Sequence, residues 1–296
     1  MRIKRSRYFK QEFTDEKKLT SRDRHCSSPK KRVRVGDKLF NVESFEPVVG
    51  RNKNPHTLLL GTMPSITSHK VSQYYGHPSN AFWWIVGDAF RFRRGGVNIH
   101  CKWPFQFGFN KDGVTPTKVQ APILQALRDT GRFDDELCGG PVLSYKEQVE
   151  VLNNNGYALW DVCRKAEIRN SDDASIKNEI PNDIFKVVDK YETLNRIVFV
   201  SGQKSASIFK RANKHKLKCL QKGTKYHFVP GDKAAKAIFG SKFFDDQPTV
   251  RSKGVQTRTI FIFIPVSVSP AASGIPYKAK SNYWLQHVFK TQPLYK

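Results

Sequence analysis

Cysteine is scarce in this chain of 296 residues: Cys26, Cys101, Cys138, Cys163 and Cys219 are scattered, odd in number and contain no C-x-x-C pair. That excludes a disulfide framework and gives no zinc or iron–sulfur spacing. His100-Cys101 has no companions and reads as two ordinary side chains. No apolar run is long enough to cross a bilayer, so no membrane partner is expected. The start, "MRIKRSRYFK", lacks the apolar centre of a signal peptide, which points to an intracellular protein. Acidic residues are also few: 26 Asp and Glu face 51 Lys and Arg, a formal charge of +25.

An excess this large points to a polyanionic partner, bound through counterion release at phosphates. The tail accounts for part of it, since residues 1–36 hold thirteen Lys and Arg and four Asp and Glu. The remaining chain is still basic, and without a clear basic amphipathic helix the partner is nucleic acid rather than acidic lipid. Residues 1–36 are polar, charged and without apolar periodicity, the pattern of a disordered tail. Their compact cluster "SSPKKRVRVG" is a nuclear-import signal or a phosphate-binding arm, and a nuclear location is expected.

Residues 37–296 read as a single domain. Four apolar runs, "TLLLGT", "YALWDV", "RIVFVSG" and "TIFIFIPVS", look like buried strands, each followed by a turn signal. Helical patterns lie between them. "NAFWWIVGDAF" follows a possible cap at Asn80. "SYKEQVEVLNNNG" carries a Ser144–Glu147 capping box and a stop at Gly156. "PNDIFKVVDKYE" places Ile184, Val187, Val188 and Tyr191 on one face, and "QKSASIFKRANK" follows the third strand. This alternation predicts an α/β fold, a three-layer α/β/α arrangement around a mainly parallel four-stranded sheet. Ligands of such sheets bind at the carboxyl ends of the strands. Stretches at about 92–142 and 215–256 read as insertions, the first rich in Gly, Pro and aromatics and the second strongly basic.

One stretch departs from the basic background. Residues 61–85, "GTMPSITSHKVSQYYGHPSNAFWWI", carry one formal charge, Lys70. Gly61 after a strand permits close backbone approach to a ligand, and Pro64 fixes the turn that follows. Thr62, Ser65, Thr67 and Ser68 offer hydroxyls, and Tyr74 and Tyr75 offer flat faces. The set suits a neutral, planar, polar ligand such as a nucleobase taken out of its stack. A core helix with Phe82, Trp83 and Ile85 buried explains part of the same pattern.

This stretch resembles the first motif of the uracil-DNA glycosylase superfamily, in its hypoxanthine-DNA glycosylase branch: G-[ST]-x-P-[SG]-x-x-S-x(5)-Y-Y-x-H-P-x-N-x-F-W. "NNNGYALWDVCRKAEIRNSDDASIKNEIPND" is similar to the N-G-x-A-L-W-D-V segment with its later S-x-D and P-N-D. "RIVFVSGQKSASIF" resembles the third strand, with Ser201-Gly202 where Asn-Gly is common. "IPVSVSPAA" resembles the second motif, L-P-S-T-S-P-A, with one extra residue and Val268 for Thr. These blocks occupy about half the chain.

The resemblance implies a monofunctional DNA glycosylase that hydrolyses the N-glycosidic bond of a deaminated base flipped out of DNA. Hypoxanthine is the first candidate and uracil the second; water is the nucleophile, no cofactor or metal is needed, and a monomer is expected. Met63 stands where many members place a water-handling Asn or Asp, and a thioether can do neither job. The branch moves an essential role to the Asn of H-P-x-N, here Asn80, whose alternative is a helix cap. Tyr75 stacks on the base, and Gly61, Thr62, Met63, Pro64, Ser65 and Ser68 line the substrate site. His77 is either an acid for the leaving base or a structural turn. Asp161, at a strand end, is either the missing carboxylate or a loop brace. Ser267, Ser269, Pro270 and Ala271 form the loop that pinches the DNA backbone, with Lys278 and Lys280 at phosphates. Two other readings stand beside this one. A non-catalytic nucleic-acid-binding module would keep the base pocket. A metal-dependent nuclease would need carboxylate clusters, for which Asp172-Asp173 and Asp134-Asp135-Glu136 are the only obvious groups.

Overall fold

A computed structural model describes residues 39–50, 54–77, 80–94, 141–169, 176–222, 225–245, 257–269, 272 and 274–294. The basic tail, most of the stretch at 92–142, both acidic clusters, and Pro270 and Ala271 lie outside the described residues.

The elements follow in chain order: β1 (Leu39–Glu43), β2 (Thr57–Gly61), α1 (Ile66–Val71), α2 (Phe82–Phe90), β3 (Arg93–Arg94), β4 (Val142–Leu143), α3 (Tyr145–Asn154), β5 (Tyr157–Asp161), β6 (Cys163–Arg169) and β7 (Lys177–Pro181). Then come α4 (Ile184–Lys190), β8 (Arg196–Phe199), α5 (Gln203–Ala212), α6 (Lys214–Lys222), β9 (Tyr226–Pro230), α7 (Lys233–Phe239), α8 (Ser241–Asp245), β10 (Arg258–Phe263) and α9 (Tyr277–Trp284), which runs into a π-helical turn, Leu285–Phe289.

The main sheet has the order β5-β2-β8-β10-β9, with every neighbouring pair parallel. All five strands therefore end on one edge. A parallel sheet needs apolar residues on both faces, and β2 supplies them in three consecutive leucines. Leu58 and Leu60 join the core under α4, α5, α6 and α7, with Phe185, Phe209 and Phe239. Leu59 points the other way, into the core under α2, α3 and α9 with Phe82, Trp83 and Trp284. Each is fully buried, and burial of one such side chain contributes about 1.5–3 kcal/mol. The three-layer α/β/α expectation holds, and the sheet has five strands where four are predicted.

The fifth strand, β9, lies in the stretch at 215–256 that reads as an insertion. Its partner β10 holds it by five paired residues, from Arg258 opposite Tyr226 to Ile262 opposite Pro230. As an edge strand its inward side chains, Tyr226 and Phe228, alternate with the exposed His227. That alternation among lysines hides the strand from a search for continuous apolar runs.

The local signals behave as expected elsewhere. Ser144 caps α3, with its own amide donating to Glu147 Oε2 at 2.7 Å and its hydroxyl accepting from the Glu147 amide. Gly156 takes the left-handed backbone (φ 81) that ends this helix, and a Cβ there would meet the His56 ring at 2.4 Å. A second, antiparallel sheet, β1-β6-β7, flanks the strand end that carries Asp161.

Candidate active site at the carboxyl edge of the sheet

Parallel pairing sets Gly61 opposite Asp161 at the last rung of β2 and β5. The first motif lacks a carboxylate, and this register supplies one from a hundred residues away. A Cβ added to Gly61 would lie 2.4 Å from Asp161 Oδ1 and 3.0 Å from the Tyr75 hydroxyl oxygen. Glycine is thus required because a carboxylate and a phenol both close over its Cα. Asp161 is buried; Ser44 donates to its Oδ2 at 3.2 Å, and Asn182 Nδ2 donates to its main-chain carbonyl at 2.9 Å. Burial first, and then the Asp161 charge, push the Tyr74 phenol far above its ordinary range.

Tyr75 is half-buried and has a left-handed backbone, φ 52, uncommon for a large side chain. Its ring lies 4.2 Å from that of Phe82, tilted by 37°. Tyr74 is held from several sides. Its amide donates to the Tyr145 hydroxyl at 2.9 Å, its carbonyl accepts from Trp83 Nε1 at 2.7 Å, and its hydroxyl donates to Phe45 and Glu46 carbonyls. With Tyr74 fixed as packing, Tyr75 is the ring left at the surface of the loop.

Asn80 makes the bond of a helix cap. Its Oδ1 accepts from the Phe82 amide at 2.9 Å, so it satisfies an amide at the start of α2, although the cap position itself is Ala81. The Asn80 amide donates to the His77 carbonyl at 3.0 Å. Because Oδ1 takes an N–H, the opposite end of the side chain is the NH2 group, a double donor.

No family model matches the chain. It is 24% identical over 163 residues to a hypoxanthine DNA glycosylase of Methanosarcina barkeri, covering 55% of this chain and 72% of the relative. It is 25% identical over 154 residues to a hypoxanthine DNA glycosylase of Methanosarcina acetivorans, covering 52% of this chain and 68% of that one. A solution NMR structure of a candidate uracil DNA glycosylase from Methanosarcina acetivorans superposes with a TM-score of 0.44 at 20% identity, over 85% of this chain and 98% of that one. By these relatives the chain resembles the hypoxanthine-DNA glycosylase branch of the uracil-DNA glycosylase superfamily.

Several residues of the first motif serve the loop rather than its surface. The Met63 side chain is buried in the core under α4 to α7. Thr62 and Pro64 are buried too. Ser65 caps α1 by accepting from the Ser68 amide. The buried Ser68 hydroxyl accepts from the Gly76 amide at 3.0 Å and from Ser65 Oγ at 3.0 Å. These bonds make Ser68 a staple for the turn at Gly76. His77 is corrected in the same way. Burial, and then the Arg94 charge, pull its pKa down to about 4, which disfavours the imidazolium that an acid for the leaving base would use. Its working group is its carbonyl.

The second motif closes on the first. Val268 accepts from the Ala81 amide at 3.1 Å and donates to the Val200 carbonyl at 3.3 Å. Ser267 Oγ accepts from the Ser269 amide at 3.1 Å. Gly202 (φ 66) allows this, since a Cβ there would come within 3.3 Å of Pro265 O and Ser267 Cβ. Lys280, expected at a phosphate, is buried at 5% exposure and donates to the Ser269 carbonyl at 3.4 Å. Burial lowers its pKa. Lys278 is half-exposed, and Pro270 and Ala271 lie outside the described residues.

Sequence reasoning missed four residues that build the site. Ser44 and Asn182 hold Asp161, and Asn182 sits in the P-N-D segment, so its signal was present without a role. Asp88, buried in α2, accepts from Tyr277 and Ser281 hydroxyls at 2.8 and 2.6 Å and so docks the helix that carries Lys280. Arg94 is the fourth. Among the described residues no group of three His, Cys, Asp or Glu could hold a metal ion, and no helix is long and apolar enough to cross a membrane.

Proposed function

We propose that this chain is a monofunctional DNA glycosylase that removes a deaminated base, hypoxanthine before uracil, from DNA in base excision repair. One observation carries the reading. Gly61, Tyr75 and Asp161 meet at the carboxyl edge of a parallel sheet, and the largely neutral loop that carries Gly61 and Tyr75 ends at Asn80, bonded to the start of α2. Two homologues bearing the name hypoxanthine DNA glycosylase support it.

In this reading the flipped base stacks on Tyr75, whose backing by Phe82 keeps the ring in place. Asn80 presents its NH2 to the base, where negative charge grows as the glycosidic bond breaks. A preoriented donor at such a point lowers the barrier. Water adds to the oxocarbenium-like sugar carbon as the bond to the base nitrogen breaks, and the proton from that water leaves with the base or to solvent. Asp161 braces Tyr75 and Gly61 and offers the carboxylate nearest the sugar. Basic residues take the phosphates, and the basic cluster at 27–36 directs the chain to the nucleus.

The test is incubation with duplexes and single strands carrying one inosine, uracil or xanthine, followed by alkaline cleavage. Cleavage at inosine above uracil is expected. Salt-sensitive binding of all three without cleavage would overturn the enzyme reading in favour of a base-sensing module. A fusion to a fluorescent protein, with and without Lys30, Lys31, Arg32 and Arg34 changed to Ala, tests the nuclear assignment.

A further inference from the structure

Arg94 follows α2 by only a few residues. The chain reverses at Arg91, which has a left-handed backbone (φ 61), and lays Phe92 against Gly87, where a Cβ would meet the Phe92 carbonyl at 2.5 Å. A short parallel pairing, Arg94 opposite Leu143, pins the returning strand. The reversal brings the Arg94 side chain beneath the turn that precedes α2.

There it is 8% exposed. One guanidinium nitrogen donates to the His77 carbonyl at 3.4 Å, and the other to the Tyr75 and Gly76 carbonyls, both at 3.3 Å. The guanidinium also lies 5.8 Å from the Trp84 ring. Burying a cation is costly unless its surroundings repay it. A planar fork of donors can hold three consecutive carbonyls at once, which an ammonium cannot. Those carbonyls belong to the stretch that keeps Tyr75 left-handed, and the His77 carbonyl also accepts the Asn80 amide. One cation is therefore tied to the main chain of both proposed substrate contacts.

We infer that Arg94 is a positioning residue that sets Tyr75 and Asn80 in register from behind the loop. The inference rests on the glycosylase reading for its consequence and on the carbonyl cluster for its geometry. The charge stays in place at working pH, since burial lowers the Arg94 pKa only to about 9.

The test compares Arg94→Lys and Arg94→Met with the parent by single-turnover excision, by binding to a duplex with an abasic site, and by amide hydrogen exchange. Arg94→Met is expected to slow excision about 100-fold, the scale of a misplaced catalytic group. Arg94→Lys loses about tenfold because charge remains without the fork. Binding to the abasic duplex, which has no base for Tyr75 or Asn80, stays within about twofold. The Gly76 and Asn80 amides exchange faster while those of Leu59 and Val198 do not. In a Tyr75→Ala background Arg94→Lys costs less than it does alone.

Unchanged excision by Arg94→Lys and unchanged exchange at Asn80 would overturn the inference. So would uniform loss of protection across the sheet, which marks a structural role alone. If Arg94→Met does not fold, Arg94→Lys decides. If the parent cleaves no substrate, the glycosylase reading fails and the exchange at Asn80 still decides the brace.

Discussion

Side chains from other elements fasten the main chain of both the loop from Gly61 to Asn80 and the loop from Ile264 to Ser269, but the first adds Ser65, Ser68 and Asn80 of its own, whereas the second adds Ser267. In the first, Ser68, Tyr145, Trp83 and Arg94 each reach a backbone group of the turn. In the second, Asp232 accepts the Ile264 amide, Trp284 Nε1 donates to the Val266 carbonyl, and Lys280 donates to that of Ser269. The difference explains how each loop carries its motif. The first must keep Ser65, Ser68 and Asn80, because their side chains are among its fasteners. The second can vary its side chains while its carbonyls stay in place. Val268, where the family motif has Thr, is buried in the core beneath α2 and suits that apolar setting. Its main chain still joins Val200 to Ala81.

The largest way to break the first loop is at its active end. Asn80→Ala is expected to reduce excision about 100- to 1000-fold, the usual cost of one preorganised donor. Circular dichroism should show the fold intact. Turnover like that of the parent would reject the role of this amide.

The half-buried His77 of the same loop offers a pH test. Its folded pKa of about 4 lies below the ordinary 6.5, so the unfolded chain binds a proton that the folded one refuses. Stability is then complete above pH 6.5 and falls as pH drops toward 4, by up to about 3 kcal/mol. Urea titrations of the parent and His77→Asn across that window check it. The slope should flatten in the variant, and an equal slope in both would assign the loss to other groups.

Gly61→Ala strikes the point where Asp161 and Tyr75 meet. With a Cβ 2.4 Å from a buried carboxylate, it should cost about 1–3 kcal/mol in stability. Excision should fall with it. Equal stability in a thermal melt would show that Asp161 moves aside freely.

The smallest effect is expected at the second loop. Lys280→Met replaces a buried cation by an apolar chain of similar length, so stability should hold or rise slightly. The loop loses one fastener, and affinity for an abasic duplex should weaken by about fivefold. A loss matching that of Asn80→Ala in excision would mean that the two loops act as one unit.

Much of the fold was legible because its signals are local. The four apolar runs, the capping box at Ser144 and Glu147 and the stop at Gly156 each depend on a few neighbouring residues, and all appear where expected. The edge strand β9 was not legible, since its apolar residues alternate with His227 among lysines. In the site, Gly61, Tyr75 and Asn80 were found through the spacing of one motif. The buried functions of Ser68, His77 and Lys280 were not, because exposure is set by what packs over a residue and not by its type.

By itself, the amino-acid sequence determined the order of the four apolar strands and of the helices read between them, the basic character of the chain and the neutral loop within it. These follow from residue type and short spacing. Only the tertiary structure decided where the carboxylate of that loop comes from. The register of β2 on β5 joins Gly61 to Asp161 across a hundred residues, and no local pattern encodes a pairing register at that distance. The reversal at Arg91 likewise turns a residue of a basic stretch into a buried cation behind the turn. Charge in this chain was readable from the start; whether a given charge meets solvent, a phosphate or three carbonyls was settled by packing.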